Sequence, residues 1–213
     1  MRPTPTSSSR NWAGAGCFAS ACLGVDQQYG GAGGDTCAAI DAIAAVAGHS
    51  LTAAFVFWGQ RTFIEYLLQS PNTQLRERWL PALLTGEFAG ATGLSNAMKF
   101  LSGIESLQLR ATQHGARWEL DGRLPWVTNL RKAGFIVAAA VERSDGATPM
   151  VVALTDSQQG VARSADLDLV ALRGSNTAAI DVSVADIGPE HVLHEDARSF
   201  CPGVRPAFLS LQL

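Results

Sequence analysis

His191 and His194, three residues apart, are the pair that comes nearest to metal-ligand spacing. No cysteine or carboxylate joins them in a zinc-type pattern, so they read as surface histidines beside a proline-containing loop. Cys17, Cys22, Cys37 and Cys201 show neither metal spacing nor a dense disulfide pattern. They read as reduced, mostly structural thiols of a cytoplasmic protein. There is no Gly-x-Gly-x-x-Gly fingerprint, no P-loop and no nucleophile elbow. What is left is a set of hydroxyls, Ser95, Ser102 and Thr128, with Trp126 close to the last of them. Taken alone, these are turn-forming serines and a core tryptophan.

The elements that must position these groups change type along the chain. Met1 to Asn11 is rich in Pro, Thr and Ser and reads as an unstructured tail. Ala13 to Val25 follows two arginines, yet its three glycines and missing leucine core argue against a signal peptide. Tyr29 to Gly34 is a glycine cluster and must be a loop. Asp35 or Thr36 then caps a helix reaching about Gly48, Ser50 caps another from Leu51 to Gln69, and Asn72 opens a third. The second helix is apolar almost all round in its first half, so neighbours should bury it on several sides. Pro81 should kink the third, and Gly86 should end it.

From Phe88 onward the pattern turns strand-like. The expected strands are 107–111, 117–120, 125–128, 135–141, 150–154 and 180–184, with Asp121-Gly122 and Asp145-Gly146 as turns. Helices first and strands after read as α+β, an N-terminal helical part packed on an antiparallel β-barrel or sandwich.

Composition narrows the partners. The 213 residues carry a formal net charge of −3, which excludes a phosphate-backbone binder on electrostatic grounds. Hydrophobic residues make up 47% and charged residues 16%, so the chain is globular rather than disordered. No apolar run reaches transmembrane length, and the surplus apolar surface points to protein partners.

Five segments, in order, carry a resemblance. Gly24-Val25-Asp26-Gln27-Gln28-Tyr29-Gly30-Gly31-Ala32-Gly33 resembles the G-V-P-x-x-Y-G-G-x-G loop of the acyl-CoA dehydrogenase family. Arg78 to Glu87 resembles the helix ending Y-L-P-x-L-x-x-G-E. Trp126-Val127-Thr128-Asn129 is similar to the flavin-site W-I-T-N. Leu172 to Thr177 and Val184 to Leu193 are similar to G-x-R-x-S-x-T and D-V-x-V-P-x-x-x-V-L.

The resemblance implies FAD as cofactor and four residues that contact it. Counting nine residues from Gly86 places Ser95 where the family has the threonine of Thr-Glu-Pro, although Asn96-Ala97 replaces Glu-Pro here. Ser102 matches the second serine of that segment if one residue is inserted. Thr128 would serve flavin N5 and O4, Trp126 would pack on the ring, Ser95 would serve the pyrimidine oxygens and Ser102 the pyrophosphate.

The implied reaction is α,β-dehydrogenation of an acyl-CoA thioester, with an electron-transfer flavoprotein as oxidant and a homo- or hetero-oligomer as the working form. The family's catalytic glutamate lies on a C-terminal bundle, so the base is expected beyond Leu213. Residues 201–213 would begin that bundle, after a tail (1–22), a partial helical domain (23–87) and a β-domain with the flavin site (88–200). The chain alone is expected to be inactive. A flavin monooxygenase or oxidase on the same fold and a non-catalytic partner subunit are the alternatives.

Overall fold

The structure, a computed structural model, describes residues 22–212. Residues 1–21 of the expected tail, and with them most of the Ala13–Val25 segment weighed as a signal peptide, lie outside the described residues. Three helices follow the glycine loop: α1 (Thr36–Ala47), α2 (Leu51–Gln69) and α3 (Thr73–Leu84). Each begins as its sequence dictates. Asp35 accepts from the Ala38 amide, Ser50 from Ala53 and Asn72 from Leu75, which satisfies donors the helix cannot satisfy itself. α3 runs on through Pro81, and Gly86, at φ 74°, turns the chain away after it.

α2 is the axis of the helical part, with every residue from Phe57 to Ile64 buried. Its Arg61 is 1% exposed and is held by Glu65 at 2.9 Å and by the carbonyls of Leu23 and Gly24. A buried guanidinium needs such a full set of acceptors, and here they fasten the glycine loop onto α2.

The rest of the chain builds one eight-stranded sheet: β1 (Ala89–Thr92), β2 (Leu109–His114), β3 (Arg117–Val127), β4 (Phe135–Arg143), β5 (Met150–Thr155), β6 (Val161–Asp166), β7 (Ala178–Ile187) and β8 (Val192–His194). The order is β6-β7-β3-β2-β4-β5-β8. β1 and β2 share one edge of β4: β1 pairs with Phe135–Ala138, β2 with Val141–Arg143. Both of those pairings are parallel, so the sheet is mixed where an antiparallel one was expected, and the other pairs are antiparallel. The short helix α4 (Leu94–Leu101) occupies the chain between β1 and β2.

Alternation along β4 and β5 sorts the two faces. Ile136, Ala138, Ala140, Val151 and Ala153 join the helical core, while Phe135, Val137, Ala139, Val141 and Val152 fill the sheet's own curled interior. A strand buried on both sides reads as a continuous apolar run, as β4 does.

Two expectations change. Asp121-Gly122 is not a turn but lies inside β3, at a register shift between Leu120 and Gly122. The chain there accommodates a bulge, with Gly122 at φ 135° and any Cβ only 2.2 Å from the Gln108 carbonyl oxygen. The reversal between β2 and β3 falls instead at Gly115, φ 64°. Second, the expected boundary at residue 200 lies within α5 (Ala197–Ser210), a helix that packs on α2. Its Phe208 carbonyl accepts from Trp58 Nε1 at 3.1 Å, and the rings of Tyr66 and Phe200 meet edge to face.

Candidate functional site

A cleft of about 410 Å³ opens where the helical layer meets the end of β3. Phe55 and Trp58 of α2 form one side, Thr92 and Ser95 another, and Trp126, Thr128 and Thr177 the sheet side. Leu169 to Leu172, in the loop between β6 and β7, complete the wall together with Gln212. Of the four residues expected in one site, the structure brings together Ser95, Trp126 and Thr128.

Each is placed by a local device. A second irregularity in the β3–β7 register, between Leu124 and Val127, turns Trp126 outward. Its indole is 66% exposed, so it is not the core tryptophan that its neighbours alone would suggest. Thr128 follows directly, buried, with Oγ1 3.0 Å from Thr177 Oγ1, which in turn lies 2.6 Å from Ser175 Oγ.

Asn129 then adopts a left-handed conformation, φ 65°, that aims its amide into the helical core. Its Nδ2 donates to Gln60 Oε1 at 3.0 Å and to the Gly90 carbonyl at 2.9 Å. Gln60 uses every bond it has: Nε2 donates to the Leu83 and Phe88 carbonyls, and Oε1 also accepts from the Gly90 amide. On the opposite side Asn129 and Leu130 amides donate to the Ser175 and Asn176 carbonyls. The turn bearing Thr128 is therefore held from both sides.

Thr92, at the end of β1, shares a 2.8 Å bond with the Tyr66 hydroxyl and accepts from the Leu94 amide. Burial pushes the Tyr66 phenol well above its ordinary range. Ser95 stands in the first turn of α4, exposed at the cleft rim.

Ser102 lies elsewhere. It ends α4, seven residues and roughly 10 Å of helix from Ser95, in a separate depression with Arg198, Cys201 and Arg205. Its hydroxyl donates to the Met98 carbonyl at 2.9 Å and its amide to Met98 and Lys99 carbonyls. With both donors engaged inside the helix end, this arrangement does not support the pyrophosphate role expected of Ser102. The register that suggested it presumes a loop, and Asn96-Ala97 in place of Glu-Pro removes the proline that would keep one. Asn96 instead bonds Glu105 and the Ser106 and Gln108 backbone, which fixes α4.

Thr92, Phe55, Trp58 and residues 169–171 were not singled out from sequence. Leu172, Ser175 and Thr177 stood in the run similar to G-x-R-x-S-x-T, but nothing in a linear pattern says which hydroxyls face inward. His191 and His194 lie apart from the cleft: each Nδ1 accepts a nearby amide, from Gly188 and Asp196 respectively.

The comparisons with known proteins agree with this architecture. A family model described as acyl-CoA dehydrogenase, N-terminal domain, matches residues 6–87, starting within the stretch expected to be a tail. A mitochondrial isovaleryl-CoA dehydrogenase of Pongo abelii is 30% identical over 140 residues, 62% of this chain and 32% of the relative. Butyryl-CoA dehydrogenase from Megasphaera elsdenii superposes with a TM-score of 0.75 at 22% identity, over 91% of this chain and 52% of that one. A glutaryl-CoA dehydrogenase from Mycobacterium smegmatis, solved in complex with FADH2, gives 0.72 at 20% identity, over 89% and 53%. The chain thus spans about a third of that curated relative and about half of those solved structures. Residues 6–87 thus match the acyl-CoA dehydrogenase N-terminal domain, and the helical layer on its sheet has the fold of the solved acyl-CoA dehydrogenases.

Proposed function

We propose that the cleft holds the isoalloxazine ring of FAD and that the chain forms part of an enzyme that dehydrogenates acyl-CoA thioesters. The observation that carries this is the meeting, in one cleft, of an exposed indole with hydroxyls that stand on buried supports. The residues fit such a group. A flat heteroaromatic ring needs an apolar face, which Trp126 offers, and a few fixed polar partners, which Thr128 and Ser95 offer. Bound there, the flavin supplies a hydride acceptor. The chain's own residues orient it, and Leu169 and Leu172 shield one side from water.

The reaction also needs a base at the thioester α-carbon. Among the described residues no carboxylate lines the cleft. Glu105 is engaged by Asn96 at 2.8 Å and by Lys99, away from Thr128. The base is therefore proposed to reach the site from outside these residues, as the resemblance implies for sequence beyond Leu213. An electron-transfer flavoprotein as oxidant and an oligomeric working form belong to the same proposal. Dehydrogenase rather than oxygen-using chemistry is preferred because the curated relatives similar in sequence are dehydrogenases by name.

The test has two parts. Titration with FAD or riboflavin, followed by fluorescence quenching, should show saturable binding that Trp126→Ala and Thr128→Val weaken. An anaerobic mixture of the chain, FAD and an acyl-CoA panel should bleach no faster than free FAD. Absence of binding removes the flavin cleft, and fast bleaching places a base within the chain.

A further inference from the structure

The cleft has two unlike walls. The sheet side carries hydroxyls and the exposed Trp126, whereas α2 presents two aromatic rings, Phe55 and Trp58. Three positions apart on one helix face, these rings stack with centroids 5.0 Å apart and planes 8° from parallel. Phe55 is half-buried, while Trp58 is 5% exposed and belongs to the core of the helical layer.

Trp58 is anchored by α5. Its Nε1 donates to the Phe208 carbonyl at 3.1 Å, and the Phe208 ring meets it edge-on at 5.3 Å. The indole thus borders the cleft and at the same time forms part of a helix–helix contact. Swinging aside would strip Nε1 of that acceptor and leave a void against α5. The aromatic pair is a fixed wall and not a gate.

A fixed wall limits what can lie against it. The thioester end of an acyl group finds polar partners on the sheet side, and its hydrocarbon tail gains from apolar cover. Each methylene that finds cover tightens binding about fourfold. The cleft, about 410 Å³, lies near the small end of the range of about 300–1,000 Å³ for ligand pockets, and the proposed flavin ring shares it. Only a few methylenes fit before the tail meets the indole. Any further ones must displace it or stay in water.

We propose that Trp58, with Phe55 stacked on it, sets the acyl length and restricts the site to short acyl groups. Trp58 is then a specificity-determining residue of the cleft. The inference deepens the acyl-CoA proposal and rests on it for the identity of the ligand.

The probes are butyryl-CoA and octanoyl-CoA, titrated into the full chain with FAD present and followed by calorimetry. The unmodified chain should bind octanoyl-CoA no more than about threefold tighter than butyryl-CoA, because the added methylenes find no cover. Trp58→Leu should raise that preference to at least about thirtyfold, and Trp58→Phe, which shortens the wall by one ring, should fall between. Trp58→Leu also removes a core contact, so Phe55→Ala opens the same wall from a half-buried position. It should raise the preference by at least about fourfold. A preference of about tenfold or more in the unmodified chain overturns the inference. So does an unchanged preference in folded Trp58→Leu and Phe55→Ala, or a failure of every form to bind either thioester.

Titration of the same forms with FAD alone reads the flavin proposal separately. FAD binding with no change of length preference among the variants keeps the flavin cleft and overturns the wall. A length preference that shifts with the variants while FAD fails to bind keeps the wall and removes the flavin cleft.

Discussion

Gln60 Oε1 and Asn129 Nδ2 lie 3.0 Å apart although 69 positions separate them in the chain. One sits in the middle of α2, the other in the turn that follows the tryptophan-bearing strand, and both are buried. The helical layer and the sheet are thus joined beneath the cleft by a polar pair in which the Gln60 amide makes four bonds and Asn129 Nδ2 both of its own. Such a pair specifies one register of helix against strand, because no other register satisfies both amides.

Replacing Gln60 should therefore cost more than its volume suggests. Gln60→Leu keeps the bulk but takes one partner each from the Gly90 amide, the Asn129 side-chain amide and the Leu83 and Phe88 carbonyls. The expected loss is about 2–4 kcal/mol in urea unfolding, since each abandoned buried group carries a penalty of its own. Gln60→Glu should also destabilise, because a carboxylate cannot donate to the Leu83 and Phe88 carbonyls. A loss below about 0.5 kcal/mol in both would show that the pair is dispensable.

Trp126 should separate stability from binding. At 66% exposure its removal costs little folding energy, so Trp126→Ala should shift stability by no more than about 0.5 kcal/mol. Flavin affinity should fall by about 1–2 kcal/mol through the lost ring contact. If the variant melts much lower yet binds equally well, Trp126 is structural and the cleft is misassigned.

Gly122 and Gly115 both have positive φ, at 135° and 64°, but only one of them is crowded. A Cβ at Gly122 would meet the Gln108 carbonyl oxygen at 2.2 Å, while one at Gly115 meets nothing within 4 Å. Gly115→Ala should cost about 1 kcal/mol, the backbone term alone. Gly122→Ala should cost at least about 2 kcal/mol more, because backbone must move to admit it. Equal effects would mean that the bulge in β3 yields easily.

His191 gives a pH dependence with a definite sign. Burial is the first cause that holds its imidazole below the ordinary histidine range, with Arg117 and Arg78 acting the same way and Glu190 opposing. As pH falls through about 6.5, the unfolded chain takes up a proton that the folded one still refuses. Stability from this residue is thus present above that pH, declines below it, and levels off once pH passes under the folded value. Unfolding measured from pH 7.5 to 5 should show the decline, and His191→Asn should remove part of it.

The two described cysteines with unambiguous surroundings should react differently. Burial pushes the Cys201 thiol up to about 11, while Cys37 is exposed on α1. Iodoacetamide at pH 8 should label Cys37 in the folded chain and Cys201 only after denaturant is added, as read by peptide mass mapping. Prompt labelling of Cys201 would indicate that α5 detaches from α2 in solution.

The sequence by itself determined what short-range physics controls. Asp35, Ser50 and Asn72 cap helices because their side chains reach amides only three residues ahead, and the first half of Leu51–Gln69 called for neighbours on several sides because it is apolar almost all round. The family resemblance singled out Trp126 and Thr128 for the same reason, because they sit in one contiguous run.

Tertiary structure decided whatever depends on residues far apart in the chain. Asp121-Gly122 has the composition of a turn, but pairing with β7 on one side and β2 on the other draws it into a continuous strand, so that the glycine absorbs a bulge instead. Ser102 has the register of a ligand contact, but a local helix takes both its donors. Ser175 and Thr177 stand in a run similar to a family motif, but they meet Thr128 only because β7 lies against the end of β3. Capping is a matter of a few bonds along one chain. A contact between hydroxyls 49 positions apart exists only once the strands have paired, and no linear pattern records it.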